Sequence, residues 1–210
     1  MAAVYGAALT LLREDVEFSD ERRRALLNMI AEQATRLTRI TEEILLTSKL
    51  DRDEVTVEQE PVDVADVVHA TVEAVRSQED EPPTIETDVA PDVGSASGDR
   101  SRIQQVLVNL IDNAVKYSPS GGEVSVSTVA SSEGVRVEVR DQGIGIPPAE
   151  QTSIFEKFYR GSLEGEQVRA GTGLGLYICR ELVQRMGGTI GVESDPGSGS
   201  TFYFELPRAA

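Results

Sequence analysis

The chain has 210 residues, a formal net charge of −16 at pH 7 and one cysteine. This length is enough for one domain with an appendage or for two small domains. The negative charge argues against a nucleic-acid partner, because phosphate backbones repel it and no basic cluster offsets that repulsion. Cys179 cannot form an internal disulfide, which fits a reducing compartment, and its apolar neighbours in a predicted helix indicate a packing role.

No apolar run reaches the roughly 20 residues that span a bilayer, and no basic segment opens the chain as in a signal peptide. The sequence as given therefore predicts a cytoplasmic location. This expectation has no bearing on a membrane segment outside the given sequence.

Two helices are predicted at the start of the chain. The first covers about residues 2–13 and has no cap signal, whereas the second begins after the N-cap Ser19 and continues to about Lys49 without Gly or Pro. A short loop would join them into a hairpin with a half-covered apolar face, which a dimeric four-helix bundle would cover. The second helix carries an apolar heptad repeat at Ile30, Leu37 and Ile44.

A short charged stretch, residues 51–60, indicates a linker to a second unit. That unit is predicted to open with an amphipathic helix over residues 62–75, a turn-rich break at 79–83 and a strand at 84–89. The only histidine, His69, lies on this amphipathic helix. No ligand set or base partner accompanies it, so it is assigned no chemistry.

The predicted helix over residues 104–117 has two faces, and either Asp99 or Ser101 is its N-cap, with Ser101 and Gln104 matching a capping box. Its apolar stripe comprises Ile103, Val106, Leu107, Leu110, Ile111 and Ala114. Beside that stripe lies a polar margin, defined as Asn109, Asn113 and Lys116. Two amides and one cation suit a Mg²⁺-bound polyphosphate, although a solvated edge of a core helix would look the same.

Alternating valines then predict a hairpin between about residues 124 and 139, whose second strand delivers Asp141 to a glycine-containing loop. Two prolines, Pro147 and Pro148, are expected to begin a short helix. Residues 163–170 are polar and without period, and are expected to be mobile. A helix through Met186 follows, and then strands at 189–193 and 201–206. The second unit is thus predicted to be an α/β sandwich, with helices on one face of a mixed sheet.

Two glycine-rich loops carry the remaining chemistry. Gly171, Gly173 and Gly175 lack the preceding strand of a dinucleotide fingerprint, so they indicate phosphate binding by N–H groups at a helix N-terminus. In the other loop, Asp141 could accept a hydrogen bond from the exocyclic amine of adenine and so select it over guanine. Asp141 could also simply cap a turn.

The order of these motifs resembles that of sensor histidine kinases. Residues 109–118 look like the N box, 141–145 the first glycine box, 154–160 the F box, 171–176 the second glycine box and 197–201 the last turn of that fold. These five motifs span about half of the chain. The first fifty residues also resemble the dimerisation hairpin of the family.

The resemblance implies ATP and Mg²⁺ as cofactors and a role for each matching residue. Asn113 would coordinate Mg²⁺, while Asn109, Lys116 and Arg160 would complete the catalytic group near the phosphates. Asp141 would read adenine. The base pocket would be lined by Tyr117, Gly143, Gly145, Ile146 and Thr201. The phosphate loop and lid would comprise Gly171, Thr172, Gly173, Leu174, Gly175 and Leu176, with Phe155 and Phe158 as anchors.

The acceptor histidine of the family precedes residues that resemble 2–5, so it would lie before Met1, and His69 cannot replace it. The implied function is that of the cytoplasmic core of a homodimeric sensor kinase. It would phosphorylate a histidine in trans, on a longer form or on a partner kinase chain, for relay to a response regulator. The alternatives are a silent dimerisation and docking module for a response regulator, or a serine kinase or ATPase on the same fold.

The expected fold class is therefore α+β. Residues 1–50 would form a helical hairpin, half of a four-helix bundle, and residues 51–60 the linker. Residues 61–210 would form an ATP-binding α/β sandwich of the histidine-kinase ATPase type.

Overall fold

The computed structural model describes residues 2–12, 18–78, 83–90, 93–118, 122–132, 134–161 and 171–209. The chain divides into two compact units, Met1–Ser48 and Lys49–Ala210. None of the helices within these ranges has the length and apolarity needed to cross a membrane. The segment 163–170 and most of the break at 79–83, both predicted from the sequence, lie outside the described residues.

The first unit contains helix α1, Ala2–Leu11, and most of helix α2, Asp20–Asp51. Ser19 is the N-cap of α2, as predicted, because its hydroxyl accepts a hydrogen bond from the Arg22 N–H at 3.3 Å. The connection between the two helices includes residues 13–17, which lie outside the described part of the chain. The hairpin therefore stays a prediction.

Helix α2 ends two residues later than predicted, in a Schellman motif. The N–H of Asp53 donates to the Leu50 carbonyl at 3.1 Å and that of Glu54 to the Lys49 carbonyl at 2.9 Å. Asp53 adopts the left-handed conformation that this motif requires, with φ of 58°. The last turn of α2 belongs to the second unit, which begins at Lys49.

The stretch 51–60, expected to be a linker, is packed into the second unit. Val55 is buried, and the Glu58 N–H donates to Oδ2 of Asp99 at 3.3 Å. Strand β1, Glu60–Asp63, then pairs antiparallel with β3, Ser95–Gly98. The sequence had not predicted this ribbon, because neither short strand has a clear alternating pattern.

Helix α3, Val64–Gln78, begins two residues later than predicted because Val62 belongs to β1. The side chain of Asp63 accepts the N–H of Asp66 at 3.1 Å and so satisfies one free donor of the first helical turn. His69 is exposed on α3.

The main sheet is mixed and has the strand order β2-β4-β5-β7-β6. Its strands are β2 Ile85–Val89, β4 Val124–Ala130, β5 Gly134–Asp141, β6 Thr189–Ser194 and β7 Ser200–Pro207. Strand β2 runs parallel to β4, and every other pairing is antiparallel. The predicted hairpin is thus β4–β5, and its alternating valines lie on the buried face of the sheet.

Helix α4, Arg100–Tyr117, and helix α5, Gly175–Arg185, pack together above this sheet. All six residues of the predicted α4 stripe are fully buried, with 0% of their surface exposed. Cys179 of α5 is also fully buried, as expected for a packing residue, with Sγ 3.9 Å from the Val106 carbonyl oxygen.

Asp99, rather than Ser101, is the N-cap of α4. Its Oδ1 accepts the N–H groups of Ser101 and Arg102 at 2.9 and 3.2 Å. The Ser101 hydroxyl donates to the same oxygen at 2.7 Å, so the capping box predicted with Gln104 is wrong. Partial burial opposes ionisation of Asp99, but the hydrogen bonds from Ser101, Glu58 and Arg102 outweigh it and lower the pKa of this carboxyl.

The prolines after the first glycine loop begin a turn and not a helix. The Glu150 N–H donates to the Pro147 carbonyl at 2.8 Å, and the only helical piece that follows directly is a 3₁₀ turn, Ser153–Phe155. Phe155 is buried there and meets Phe202 edge to face, with ring centroids 6.5 Å apart. This contact ties the segment after the loop to strand β7.

Replacing Asp99 with Ala is expected to lower the free energy of unfolding by about 1 kcal/mol, because two helix donors lose their acceptor. Ser101→Ala is the matched control and should change it by less than about 0.5 kcal/mol, since Ser101 only supports the cap. Urea unfolding followed by circular dichroism measures both. A larger loss in Ser101→Ala than in Asp99→Ala would contradict the assignment.

Candidate nucleotide site

Asp141 forms the floor of the candidate site. It is the last residue of β5, and its side chain lies on the helix-covered face with only 3% of its surface exposed. Its Oδ1 accepts the N–H groups of Gly143 at 2.7 Å and Ser200 at 3.2 Å. Among the described residues Oδ2 has no hydrogen-bond partner, so one oxygen of a buried carboxylate remains available to a ligand.

Burial raises the pKa of Asp141 above its ordinary value, and the two backbone hydrogen bonds only partly offset this effect. A buried acceptor with an uncommitted oxygen is costly to a fold and is typical of functional sites.

The loop after Asp141 needs a glycine where it passes the end of α4. A methyl group built on Gly143 would lie 2.5 Å from the Tyr117 carbonyl oxygen and 2.6 Å from Oδ1 of Asp141. Only a residue without a side chain allows this approach. The structure thereby brings together Asp141, Gly143 and Tyr117, three residues to which the resemblance assigns the base pocket. Gly145 is buried in the same loop, and the Ile146 N–H donates to the Ser194 hydroxyl at 2.8 Å.

Ser200, and not Thr201, is the β7 residue beside Asp141. Ser200 pairs with Asp141 in the sheet and is buried, whereas Thr201 pairs with the exposed Arg140. Successive residues of a strand point to opposite faces, so Thr201 lies on the face of the sheet away from Asp141. Sequence reasoning missed Ser200, although it alternates in phase with the apolar Phe202.

The polar margin of α4 meets the second glycine loop. A methyl group built on Gly171 would lie 3.3 Å from Nζ of Lys116, and one built on Gly175 would lie 3.4 Å from Oδ1 of Asn109. Asn113 lies between these two contacts on the same edge of the helix. Residues about 60 positions apart in the sequence therefore form one polar surface.

The same glycine loop is tied to the segment predicted as the F box. The Phe158 N–H donates to the Gly173 carbonyl at 2.9 Å, and Gly173 has a φ of 72°, which favours glycine. Phe158 also has a positive φ, 60°, and 66% of its surface is exposed. Left-handed backbone at a large side chain is strained and is common at functional sites. Phe155 anchors this segment in the core, while Phe158 does not.

Helix α5 begins without a side-chain cap and without an acidic residue in its first turn. Its preceding residue, Leu174, is buried, and the Leu174 N–H donates to the Thr172 hydroxyl at 3.2 Å. The first N–H groups of a helix need acceptors, and the N-cap residue Leu174 supplies none from its side chain. In contrast to α4, which Asp99 caps, the N-terminus of α5 is thus suited to an anion.

The remaining predicted residues border these elements. Leu176 is half-buried in the first turn of α5, and Arg160 is exposed just beyond Phe158. Lys116 donates from Nζ to the Tyr117 hydroxyl at 3.1 Å. This contact places a positive charge between the polar margin of α4 and the loop that follows Asp141.

The donor set fits Mg²⁺ only when a ligand supplies most of the oxygens. Within the described residues no three His, Cys, Asp or Glu side chains cluster as a metal site. Among the residues that the structure describes, the side-chain amides of Asn109 and Asn113 have no hydrogen-bond partner. A neutral amide oxygen can coordinate Mg²⁺ without repelling phosphates, so Asn113 fits a metal held mainly by a polyphosphate.

The chain is similar in sequence to known proteins. Residues 98–210 match the sequence profile of histidine kinase-, DNA gyrase B- and HSP90-like ATPases. The chain is 35% identical over 210 residues to adaptive-response sensory kinase SasA of Rippkaea orientalis, with 98% of this chain and 52% of that protein aligned. It is 32% identical over 208 residues to sensor protein KdpD of Clostridium acetobutylicum, with 99% and 23% aligned. The chain thus spans about half of SasA and a quarter of KdpD.

Two solved structures share the fold. Full-length ShkA in complex with AMPPNP superimposes with a TM-score of 0.75 and 28% identity, covering 94% of this chain and 41% of ShkA. Histidine kinase ThkA in complex with the response regulator protein TrrA gives a TM-score of 0.73 and 25% identity, covering 99% of this chain and 57% of ThkA.

The raised pKa of Asp141 predicts an unusual pH dependence of stability. Between the native pKa and the ordinary value of 3.8, the folded chain takes up a proton that the unfolded chain does not. Acidification through this window should therefore stabilise the wild type relative to Asp141→Asn. Urea unfolding of both proteins at several pH values from 7 to 4 measures the difference. Parallel pH profiles would contradict the assigned burial of this carboxylate.

Proposed function

Because the chain belongs to the histidine kinase-, DNA gyrase B- and HSP90-like ATPase family as a sensor histidine kinase catalytic domain, we propose that it binds Mg-ATP and phosphorylates a histidine. The observation that carries this proposal is the contact of the α4 polar margin with the uncapped N-terminus of α5. The names of the SasA and KdpD relatives and the AMPPNP complex of ShkA agree with it.

The base end of the nucleotide would lie against Asp141. Its free Oδ2 can accept a hydrogen bond from the exocyclic amine of adenine, whereas guanine presents a carbonyl oxygen at the equivalent position. Tyr117, Gly143 and Ile146 would line this pocket, and Ser200 would hold the carboxylate in orientation through its N–H group. Gly145 completes the wall that the loop forms.

The phosphate end would lie between α4 and α5. The first N–H groups of α5 and of the glycine loop would bind phosphate oxygens, while Lys116 neutralises their charge. Asn113 would hold Mg²⁺, with Asn109 beside it, and Arg160 would approach from the F-box side. The metal would neutralise charge on the phosphates. The rest of the catalysis would be positioning, because phosphoryl transfer asks little covalent chemistry of a protein.

The acceptor would be a histidine on a helical hairpin. Residues 1–51 contain no histidine. The one histidine of the sequence, His69, is exposed on α3, which is not part of the predicted hairpin. The hairpin would therefore be presented in trans by a partner chain or by a longer form. A nitrogen of the imidazole would take the γ-phosphoryl group, and ADP would leave.

The partners would be a second copy of the chain and a response regulator. Exposed apolar side chains along α2, among them Leu27, Leu37 and Ile44, favour a homodimeric helical bundle. The ThkA complex with TrrA agrees with a response regulator as the phosphoryl recipient. A cytoplasmic location follows from the proposal, because ATP and response regulators are found there.

Replacing Asp141 with Asn is expected to relax the base selectivity. An asparagine can turn its amide group to donate to the guanine carbonyl oxygen, and it loses the charge that favours the adenine amine. ATP affinity should fall roughly tenfold or more, because a hydrogen bond to a charged group is lost, while GTP affinity should stay equal or rise. Isothermal titration calorimetry with each nucleotide and Mg²⁺ measures the change. An unchanged ratio of ATP to GTP affinity would contradict the assignment of Asp141.

The direct test of the proposed function supplies the acceptor. The chain is mixed with γ-labelled ATP, Mg²⁺ and a separate sensor-kinase hairpin that carries its histidine, and the label on the hairpin is followed. Acid-labile, base-stable label is expected, because phosphohistidine has these properties. A hairpin with His replaced by Gln, and the chain variant Asn113→Ala, should both reduce the label to background.

The other outcomes identify the alternatives. ATP binding without any label would favour a docking module for a response regulator. Acid-stable label on a serine would indicate a serine kinase, and steady ADP release without a protein acceptor would indicate a simple ATPase.

A further inference from the structure

One carboxylate in the last turn of α2 joins two segments that border the glycine loop. Oδ1 of Asp51 accepts a hydrogen bond from Nζ of Lys157 at 2.5 Å and another from the Tyr177 hydroxyl at 3.0 Å. Nζ of Lys157 also lies 4.8 Å from the centroid of the Tyr177 ring, within the range of a cation–π contact. The carboxylate, the ammonium and the phenol thus form one cluster.

Each of these two partners is next to the candidate phosphate site. Lys157 immediately precedes Phe158, whose N–H donates to the Gly173 carbonyl. Tyr177 is in the first turn of α5, the helix that begins at Gly175, and its side chain is buried. Asp51 therefore holds the F-box segment and the start of α5 against each other, on either side of the glycine loop.

A second anchor holds the end of α2 independently of Asp51. Arg185, the last residue of α5, donates from Nη2 to the Leu50 carbonyl at 2.9 Å and from Nη1 to Asp53 at 2.5 Å and to the Val55 carbonyl at 3.3 Å. A cation at the C-terminal carbonyls of a helix is favourable. Tyr177 and Arg185 are separated by about 12 Å along α5, so the end of α2 contacts both ends of that helix.

We propose that Asp51 is a positioning residue for the nucleotide site, through which the last turn of α2 sets the geometry of the phosphate-binding loop. The inference rests on the proposed binding of Mg-ATP. Helix α2 is continuous from Asp20 to Asp51, and its earlier turns belong to the first unit. A displacement of its last turn would therefore change nucleotide affinity without any contact between α2 and the nucleotide.

The cluster around Asp51 is weak enough to position the loop without being needed for folding. The side chains of Lys157 and Asp51 are 35% and 42% exposed, so their ion pair adds little to global stability. The hydrogen bonds from Lys157 and Tyr177 lower the pKa of Asp51, so the carboxylate stays ionised further into the acidic range than an ordinary aspartate. Loss of this cluster should therefore weaken nucleotide binding by the glycine loop more than it lowers the global stability of the fold.

The test compares Asp51→Ala with Glu54→Ala in the full 210-residue chain. Glu54 is an apt control because it is an exposed acidic residue near the same helix end, and among the described residues its side chain forms an ion pair with Arg52 alone, at 2.8 Å. Calorimetric titration with Mg-ATP should show Kd about three- to fivefold higher for Asp51→Ala, as expected for an exposed ion pair, and unchanged for Glu54→Ala. The melting temperature of Asp51→Ala should stay close to that of the wild type, because Arg185 still holds the end of α2.

A charge exchange separates positioning from a general structural effect. Asp51→Lys places two ammonium groups together and should weaken Mg-ATP binding more than Asp51→Ala. Combining it with Lys157→Asp should restore much of the affinity. Coupling is reciprocal, so Mg-ATP should slow hydrogen exchange at the Asp53 and Glu54 amides in the wild type but not in Asp51→Ala.

The results distinguish this inference from the proposed function. If the wild type binds no Mg-ATP, both fail. If it binds but Asp51→Ala binds equally well, only the positioning role fails. A loss of affinity that follows a lowered melting temperature and is not recovered in the exchange pair would likewise overturn the role.

Discussion

Burial of the apolar stripe of α4 fixes the rotation of this helix about its own axis. Six side chains pack without exposure between the sheet and the neighbouring helices, and a rotation of even one residue would place polar groups in the core. Because the stripe is held, the polar margin beside it must face the glycine loop. Nζ of Lys116 and Oδ1 of Asn109 then lie within van der Waals range of the positions that a methyl group on Gly171 or Gly175 would occupy. The candidate phosphate site is thus a consequence of ordinary core packing.

Asp141, in contrast, is a residue of the candidate site whose burial costs stability. The fold holds its carboxylate with two backbone N–H groups on one oxygen and leaves the other oxygen uncommitted in a buried position. Burial raises its pKa, so the ionised form is less stable there than in water. In the proposed role of Asp141 as the residue that recognises the adenine amine, the ligand would supply the missing hydrogen bond and so offset this cost.

Helix α5 connects the candidate phosphate site with the C-terminal end of α2. Its N-terminus has no side-chain cap and borders the glycine loop, and Tyr177 in its first turn contacts Asp51. Its last residue, Arg185, holds the C-terminal cap of α2. A helix is stiff over this length, so the coupling proposed for Asp51 would pass through a rigid element and not through a flexible chain.

Periodic patterns in the sequence determined which segments form the main helices and strands and which of their faces are buried. The α4 stripe, the alternating hairpin that ends at Asp141 and the order of the glycine loops were all readable, because helix and strand periods depend on neighbouring residues. Only the tertiary structure decided that Asp99 and not Ser101 caps α4, that Ser200 and not Thr201 lies beside Asp141, and that residues 51–60 pack into the second unit. These outcomes depend on strand pairing, on the face that a strand buries and on contacts between residues far apart in the chain, which local periodicity does not encode.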